Sequence, residues 1–181
     1  KAYANGIELK GRTLGIIGFG RIGQALAKLA IGAGMRVIFS DIHNDDVEVS
    51  LDFFDGQSAT FTCKNVGFEG VLAESDFISL HVPGGDLIGA AELAKMKDGV
   101  FLLNAARGGV INEEALLDAL ESGKVAGAGL DVFKNEPTPA IKVLMNGKVS
   151  LTPHIGAATG EAQDRIGTEL AAHIDALAAE A

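Results

Sequence analysis

The stretch LGIIGFGRIGQALA, residues 14–27, joins an apolar run to a helical pattern through three glycines. Gly18, Gly20 and Gly23 have the G-x-G-x-x-G spacing of a dinucleotide-binding turn, in which glycine allows a tight bend, a close approach to pyrophosphate and close helix packing. Amides at the start of the helix then bind the anion. The same spacing also occurs in turns that bind nothing, so the neighbouring sequence has to decide between these two interpretations.

An acidic residue stands where the ribose of such a cofactor would lie. Asp41 ends the next predicted strand after the glycines. A carboxylate there accepts hydrogen bonds from the adenosine ribose hydroxyls and repels a 2′-phosphate, so the sequence predicts NAD rather than NADP. We interpret His43, two residues further on, as a loop residue near the adenine end.

The rest of the chain alternates β-branched apolar runs with helical periodicity, which is the pattern of a parallel sheet built from βαβ units. We predict strands at residues 13–18, 36–40, 76–81, 100–104, 126–131 and 149–152. We predict helices at residues 22–33, 67–73, 90–96, 113–122, 140–145 and 160–179, with Asn112 capping the fourth and Gly123 ending it. Residues 47–64 break the pattern and predict two short strands joined by a turn at residues 55–57. The fold class is therefore α/β, a single Rossmann-type domain with a doubly wound parallel sheet and helices on both faces.

The composition of the chain limits the kinds of partner that it is expected to bind. The net charge of the 181 residues is −9, with Lys and Arg scattered, which argues against nucleic acid and an anionic membrane surface. Cys63 is the single cysteine and is interpreted as a packing residue, and no Cys/His cluster has the spacing of a metal site. No apolar run is long enough to cross a bilayer and no leader is recognisable, so we expect a cytoplasmic protein with small-molecule partners. Because the chain begins at Lys1, we expect it to come from a longer protein.

Four patches with chemically capable side chains follow predicted strands. They are HVPGG (81–85), LLNAARGG (102–109), GLDVFKNEP (129–137) and LTPHIGAAT (151–159). Loops beyond the carboxyl ends of parallel strands line the ligand crevice of such sheets. We therefore expect all four patches to face one cleft.

The residues of these patches match the requirements of hydride transfer on a 2-hydroxy acid. Arg107 offers a planar cation that grips a carboxylate, and His154 offers a group that exchanges protons near neutral pH. Glu136 would hydrogen-bond the imidazole and favour its charged form. Each residue alone is more often a surface charge, a turn residue or a hydrogen-bonded filler, but their joint occurrence at strand ends favours catalysis.

The chain resembles the D-2-hydroxyacid dehydrogenases over nearly its whole length. The resemblance is carried by four stretches together: GIIGFGRIGQALA, DFISLHVP, LLNAARGGVINEEALLDALESGKVAGAGLDVFKNEP and LTPHIGAAT. Within that family, TPHIGAATGEAQDRIG and LDFFDGQS favour the D-3-phosphoglycerate dehydrogenases. The resemblance implies that residues 1–181 are the NAD-binding domain of an oxidoreductase. It also implies oxidation of 3-phosphoglycerate to 3-phosphohydroxypyruvate in serine biosynthesis, by a homodimer formed through this domain.

The resemblance also implies roles for individual residues. Arg107 would bind the substrate carboxylate, and His154 would act as the acid/base, oriented by Glu136. Asp131 and the backbone near Ala105 would hold the nicotinamide carboxamide. The full set of implied cofactor contacts is Gly18, Gly20, Arg21, Ile22, Gly23, Asp41, His81, Val82, Pro83, Ala105, Asp131, His154 and Gly156.

Two departures from the family pattern leave alternatives open. The family's substrate-binding domain is absent from this chain, and the loop HVPGGDLIG (81–89) is shorter than the family form. One alternative is an NAD(H)-binding module with little or no catalysis, which is either engineered or similar to the transcriptional corepressors that resemble this family. Another is an unrelated Rossmann protein such as a methyltransferase, in which Arg107, Glu136 and His154 would have no role.

Overall fold

The computed structural model describes residues 6–43 and 45–179, which form an eight-stranded sheet in the order β3-β4-β2-β1-β5-β6-β7-β8. The strands are β1 (Thr13–Ile17), β2 (Arg36–Ser40), β3 (Val47–Asp52), β4 (Ser58–Asn65), β5 (Phe77–Leu80), β6 (Val100–Asn104), β7 (Val125–Leu130) and β8 (Val149–Leu151). The helices are α1 (Arg21–Gly32), α2 (Gly67–Glu74), α3 (Ala90–Lys95), α4 (Glu113–Ser122), α5 (Ile141–Leu144) and α6 (Gly160–Ala179).

The sheet confirms the predicted Rossmann-type fold. Every pairing is parallel except that of β3 with β4. On one face, Ala27 and Ala30 of α1 pack with the apolar side chains of β1 and β2. On the other face, Leu72 of α2 and Leu120 of α4 pack with β5 and β6. The chain leaves β1 for β2 on one side and returns to β5 on the other, so the ligand crevice of such folds lies at the carboxyl ends of β1 and β5.

The predicted main strands and helices are all present, and each boundary agrees within one residue. The predicted limits of α4 are confirmed. The Asn112 Oδ1 atom accepts a hydrogen bond from the Ala115 N–H at 3.1 Å, and Gly123 ends the helix at φ 80°. Such caps satisfy backbone groups that have no partner inside the helix.

The predicted hairpin is also present, but the sequence did not indicate its place in the sheet. β4 pairs in parallel with β2, with Ile38 opposite Lys64, so that β3 becomes the outer edge strand. Cys63 is only 2% exposed and packs in the cluster beneath α1, as expected of a packing residue.

Helix α6 is packed differently from the other helices. None of its residues is buried, and Ile166, Leu170, Ile174 and Leu177 are 54%, 58%, 56% and 68% exposed. An ion pair joins α6 to the beginning of α1. Across the described ranges, no helix combines the length and apolar character needed to span a membrane.

Candidate functional site

The predicted site residues follow neighbouring strands at one edge of the sheet. Gly18 follows β1, Asp41 follows β2, His81 follows β5, Arg107 follows β6 and His154 follows β8. Because these strands are parallel, their carboxyl ends all lie at the same edge. The structure therefore places the candidate nucleotide-binding residues and the candidate catalytic residues together at the carboxyl ends of the strands.

The glycine turn has the close backbone contacts that a dinucleotide cradle requires. Gly18 has φ 90°, and a Cβ atom on it would overlap the carbonyl oxygen of His81. A Cβ on Gly23 would overlap the carbonyl oxygen of Gly18, whereas Gly20 faces open space. Gly20 is the N-cap of α1, so the amides that follow it have no partner within the helix. The turn thus fits a pyrophosphate over Gly20, beside the amides of Arg21 and Ile22.

Asp41 connects this turn to the end of β2. Its Oδ2 atom accepts a hydrogen bond from the Phe19 N–H at 2.6 Å, and its Oδ1 atom accepts one from the His43 N–H at 3.3 Å. Each carboxylate oxygen has a second lone pair, so ribose hydroxyls can still be bound. The hydrogen bond from Phe19 also gives Asp41 a role in holding the glycine turn, which the sequence pattern does not indicate.

His81 closes the other side of the glycine turn. Its N–H donates to the Ile17 carbonyl oxygen at 2.7 Å, and a hydrogen bond of 2.9 Å joins its Nε2 atom to Ser79 Oγ. Burial lowers the pKa of His81, which keeps its imidazole neutral at neutral pH. Val82 is half-buried and Pro83 is exposed, at the start of the short loop.

Arg107 lies in an exposed turn after β6, two residues beyond the exposed Ala105. Its Nη1 atom donates to the Ala106 carbonyl oxygen at 2.7 Å. Within the part of the chain that the structure describes, no hydrogen bond or ion pair joins Arg107 to Glu136 or His154. The turn nevertheless meets the Glu136 loop, because a Cβ on Gly108 would overlap the carbonyl oxygen of Phe133.

Glu136 and His154 form a hydrogen-bonded pair. His154 Nδ1 donates to Glu136 Oε2 at 2.7 Å, and the Phe133 N–H donates to Glu136 Oε1 at 2.8 Å. The hydrogen bond from His154, followed by that from Phe133, lowers the pKa of Glu136, which keeps it a carboxylate. Because Nδ1 carries the shared proton, the Nε2 atom of His154 is left for a substrate, and the side chain is 51% exposed.

Asp131 holds the loop that carries His154. Its Oδ1 atom accepts from Thr152 Oγ1 at 2.6 Å and from the Ile155 N–H at 2.9 Å, and its Oδ2 atom accepts from the Gly156 N–H at 2.8 Å. Burial opposes ionisation, but these hydrogen bonds outweigh it and hold the pKa of Asp131 below its ordinary value. They fix the turn in which His154 adopts φ 55°, a left-handed conformation that few residues other than glycine adopt. Asp131 therefore has a structural role in addition to the cofactor contact that the sequence predicts, and no local sequence pattern indicates this role.

Glu136 and His154 border a cavity of about 390 Å³, which is also lined by Phe133, Leu144 and Leu151. A wider open groove of about 1350 Å³ lies between α4 and α5 and contains none of the predicted site residues. Among residues 6–43 and 45–179, no group of three or more His, Cys, Asp or Glu side chains is arranged to hold a metal ion.

Comparison with known proteins agrees with this geometry. The family described as D-isomer specific 2-hydroxyacid dehydrogenase, NAD binding domain, matches residues 1–156. A hydroxypyruvate reductase from Thermotoga maritima is 46% identical, with 94% of this chain and 54% of the relative covered. A D-3-phosphoglycerate dehydrogenase from Mycobacterium leprae is 42% identical, with 92% of this chain and 31% of the relative covered. The chain therefore spans about half the length of the first of these relatives and less of the second.

A solved structure has the same architecture. The D-lactate dehydrogenase of Aquifex aeolicus, complexed with NAD and lactic acid, superposes with a TM-score of 0.76 at 32% identity. The match covers 97% of this chain and 56% of that protein. The sheet and its glycine turn are therefore those of an NAD-binding domain.

Proposed function

This chain belongs to the D-isomer specific 2-hydroxyacid dehydrogenases, and from that membership we propose that it is the cofactor-binding part of an NAD-dependent dehydrogenase. The enzyme interconverts a small 2-hydroxy acid and its 2-keto acid. The observation that carries the proposal is the 2.7 Å hydrogen bond between His154 Nδ1 and Glu136 Oε2, at the carboxyl edge of an NAD-binding sheet. In this proposal, residues 1–181 are one domain, and a substrate-binding part outside this chain completes the enzyme.

The side chains of this chain handle the proton and the carboxylate. NAD, when bound, accepts or supplies the hydride. His154 Nε2 takes the hydroxyl proton during oxidation and returns it during reduction of the keto acid, because Nδ1 is held by Glu136. Arg107 binds the substrate carboxylate, for which its planar guanidinium is well suited. Asp41 supports the choice of NAD by placing a negative charge beside the ribose.

Within this class, we propose 3-phosphoglycerate and 3-phosphohydroxypyruvate as the substrate pair, in the reaction that leads to serine. The proposal is supported by the sequence motifs TPHIGAATGEAQDRIG and LDFFDGQS and by the 42% identical phosphoglycerate dehydrogenase. Hydroxypyruvate is the second candidate, because it is the substrate named for the 46% identical relative. Both keto acids offer the same groups to Arg107 and His154 and differ by a phosphate, so neither residue distinguishes them.

Assembly and location complete the proposal. We propose a cytoplasmic homodimer that is formed through this domain, as the family resemblance implies. Analytical ultracentrifugation of the chain tests the assembly. A sedimentation coefficient that remains monomeric at high protein concentration contradicts the dimer.

The catalytic part of the proposal is tested in a joined protein, in which this chain replaces the matching region of the Thermotoga maritima hydroxypyruvate reductase. Oxidation of NADH is followed with hydroxypyruvate and with 3-phosphohydroxypyruvate. We expect turnover, and we expect His154→Asn to lower kcat by about 10²- to 10⁴-fold without weakening NADH binding. His173→Asn on α6 is the matched control and should leave kcat unchanged.

Each other outcome has a definite meaning. If His154→Asn weakens NADH binding as much as it lowers kcat, His154 has a structural role. If the joined protein binds NADH but turns over neither keto acid, the catalytic proposal is wrong and a binding module is favoured. The choice between the two substrates is tested on the full-length protein that contains this chain, because the residues of this chain do not distinguish them. A preference of that protein for hydroxypyruvate over 3-phosphohydroxypyruvate contradicts the phosphoglycerate assignment.

A further inference from the structure

Asn104 is a buried polar residue that the proposed reaction does not use directly. It is the last residue of β6 and is 3% exposed. Its Oδ1 atom accepts a hydrogen bond from the Ala106 N–H, and its Nδ2 atom donates to the Arg107 carbonyl oxygen, both at 3.0 Å. Its backbone carbonyl accepts from the Asp131 N–H at 2.9 Å. One residue thus holds the Arg107 turn from two directions and ties it to the end of β7.

The far side of the same turn rests on the Glu136 loop. A Cβ on Gly108 would overlap the carbonyl oxygen of Phe133, so the two backbones lie in close contact. The N–H of Phe133 donates to the carboxylate of Glu136. The Arg107 turn is therefore held between Asn104 on one side and the backbone that supports the catalytic pair on the other.

We propose that Asn104 is a positioning residue that directs Arg107 toward the substrate carboxylate. Asn104 acts through the backbone of the turn, and the exposed guanidinium of Arg107 makes the contact with the substrate. The inference rests on the proposed function, because it takes Arg107 as the carboxylate-binding group. It predicts that changes at Asn104 weaken binding of the keto acid and leave binding of NADH intact.

Two substitutions separate the hydrogen bonds of Asn104. Asn104→Ala removes both bonds and leaves the buried Ala106 N–H without its partner, which is costly in a buried site. Asn104→Asp keeps the acceptor for Ala106 but places an oxygen against the Arg107 carbonyl, where the amide donated. Asn112→Ala is the matched control, because it also removes a hydrogen bond that a backbone N–H donates to an asparagine side chain, but at the start of α4.

The first test is steady-state kinetics in the joined protein with its best keto acid. We expect both Asn104 variants to raise the KM for the keto acid by about tenfold or more, and the dissociation constant of NADH to change by less than about twofold. We expect Asn112→Ala to leave both constants within about twofold of the parent. A general loss of structure would not produce this split, because it would affect NADH binding as well.

The second test is hydrogen exchange at the backbone amides of residues 105–108, measured on this chain. We expect exchange to be about tenfold faster in Asn104→Ala and unchanged in Asn112→Ala. If Asn104→Ala does not fold, Asn104→Asp is measured instead, because it retains the bond to Ala106.

An unchanged KM in a folded Asn104 variant overturns the inference, even if exchange is faster. If the joined protein binds NADH but turns over no keto acid, the proposed function fails. Hydrogen exchange at residues 105–108 then tests only whether Asn104 holds the Arg107 turn. Unchanged exchange in the Asn104 variant overturns that statement too.

Discussion

Two parts of the candidate site are held together by different interactions. We call the turn at residues 18–23 with Asp41 the nucleotide side, and the Arg107 turn with the loops of Glu136 and His154 the catalytic side, after the roles proposed for them. On the nucleotide side, backbone atoms approach so closely that side chains are excluded at Gly18 and Gly23. On the catalytic side, buried polar side chains bridge loops, as Asn104 does for the Arg107 turn and Asp131 does for the loop of His154. The close backbone contacts of the nucleotide side are therefore disrupted by adding a Cβ atom, whereas the bridges of the catalytic side are disrupted by removing a hydrogen bond.

Gly108 lies on the catalytic side but, like Gly18 and Gly23, it is in close contact with a backbone carbonyl group. Its substitution should therefore have the largest effect on stability. We expect Gly108→Ala to lower the free energy of unfolding by about 3 kcal/mol, because the new methyl group overlaps the Phe133 carbonyl oxygen. Chemical denaturation of the chain measures the change. Gly129→Ala on β7 is the control, since its methyl group would lie 3.6 Å from Leu103, an ordinary contact. Equal denaturation midpoints for the two variants would contradict this prediction, because they would mean that the Arg107 turn can move away from Phe133 at little cost in free energy.

Asp131 tests the hydrogen-bonded arrangement directly. Asp131→Asn removes a charge and turns an amide toward N–H donors, so we expect a loss of about 2 kcal/mol in the free energy of unfolding at neutral pH. Because the folded pKa of Asp131 is lowered, its contribution is present above the unfolded pKa of about 3.9 and is lost as pH falls through the folded pKa. The difference between parent and variant should therefore shrink in acid. Asp118→Asn, at an exposed position, is the control. If the difference in unfolding free energy between parent and Asp131→Asn persists at the lowest pH, the ionised carboxylate of Asp131 is not its source.

Local patterns in the sequence account for most of the fold. The main strands and helices agree within one residue, because apolar periodicity and turn residues act over a few neighbouring positions. The meeting of Glu136 and His154 also follows from a simple rule, since β7 and β8 are adjacent and parallel and their carboxyl ends share an edge. The pairing of β4 with β2 was not predictable in this way, because local periodicity does not specify the partner of a strand.

Contacts between distant loops could not be predicted from the sequence. The residues that Asp131 holds lie 21 to 25 positions along the chain, and Glu169 lies 148 positions from Arg21. Such contacts depend on the final placement of whole loops and helices. In the structure, buried polar residues at strand ends, such as Asn104 and Asp131, mark where such bridges form, but their burial is not visible in the sequence.

Asp41 is the polar side chain that we propose to bind the ribose on the nucleotide side. We expect Asp41→Ala to weaken NADH binding by about tenfold or more, because hydrogen bonds to a charged acceptor are lost. Preference for NADH over NADPH should fall as well, because the negative charge that repels a 2′-phosphate is removed. Fluorescence titration measures both affinities, and Asp45→Ala, which changes an exposed aspartate four residues further on, is the control. An unchanged affinity for NADH would mean that the glycine turn alone binds the cofactor.

The smallest effect is expected at Glu169 of α6, whose carboxylate lies 2.9 Å from the Arg21 guanidinium. Both side chains are well exposed, at 88% for Arg21 and 55% for Glu169, so solvent screens their interaction. Glu169→Gln frees Arg21 to turn toward the pyrophosphate, and we expect NADH to bind tighter by no more than about threefold. The gain should vanish at about 1 M salt, where the screening length is about 3 Å, and Glu161→Gln on the same helix should leave the affinity unchanged. A tenfold change in either direction would show that α6 governs cofactor affinity, and the backbone of the nucleotide side would then not be sufficient to set it.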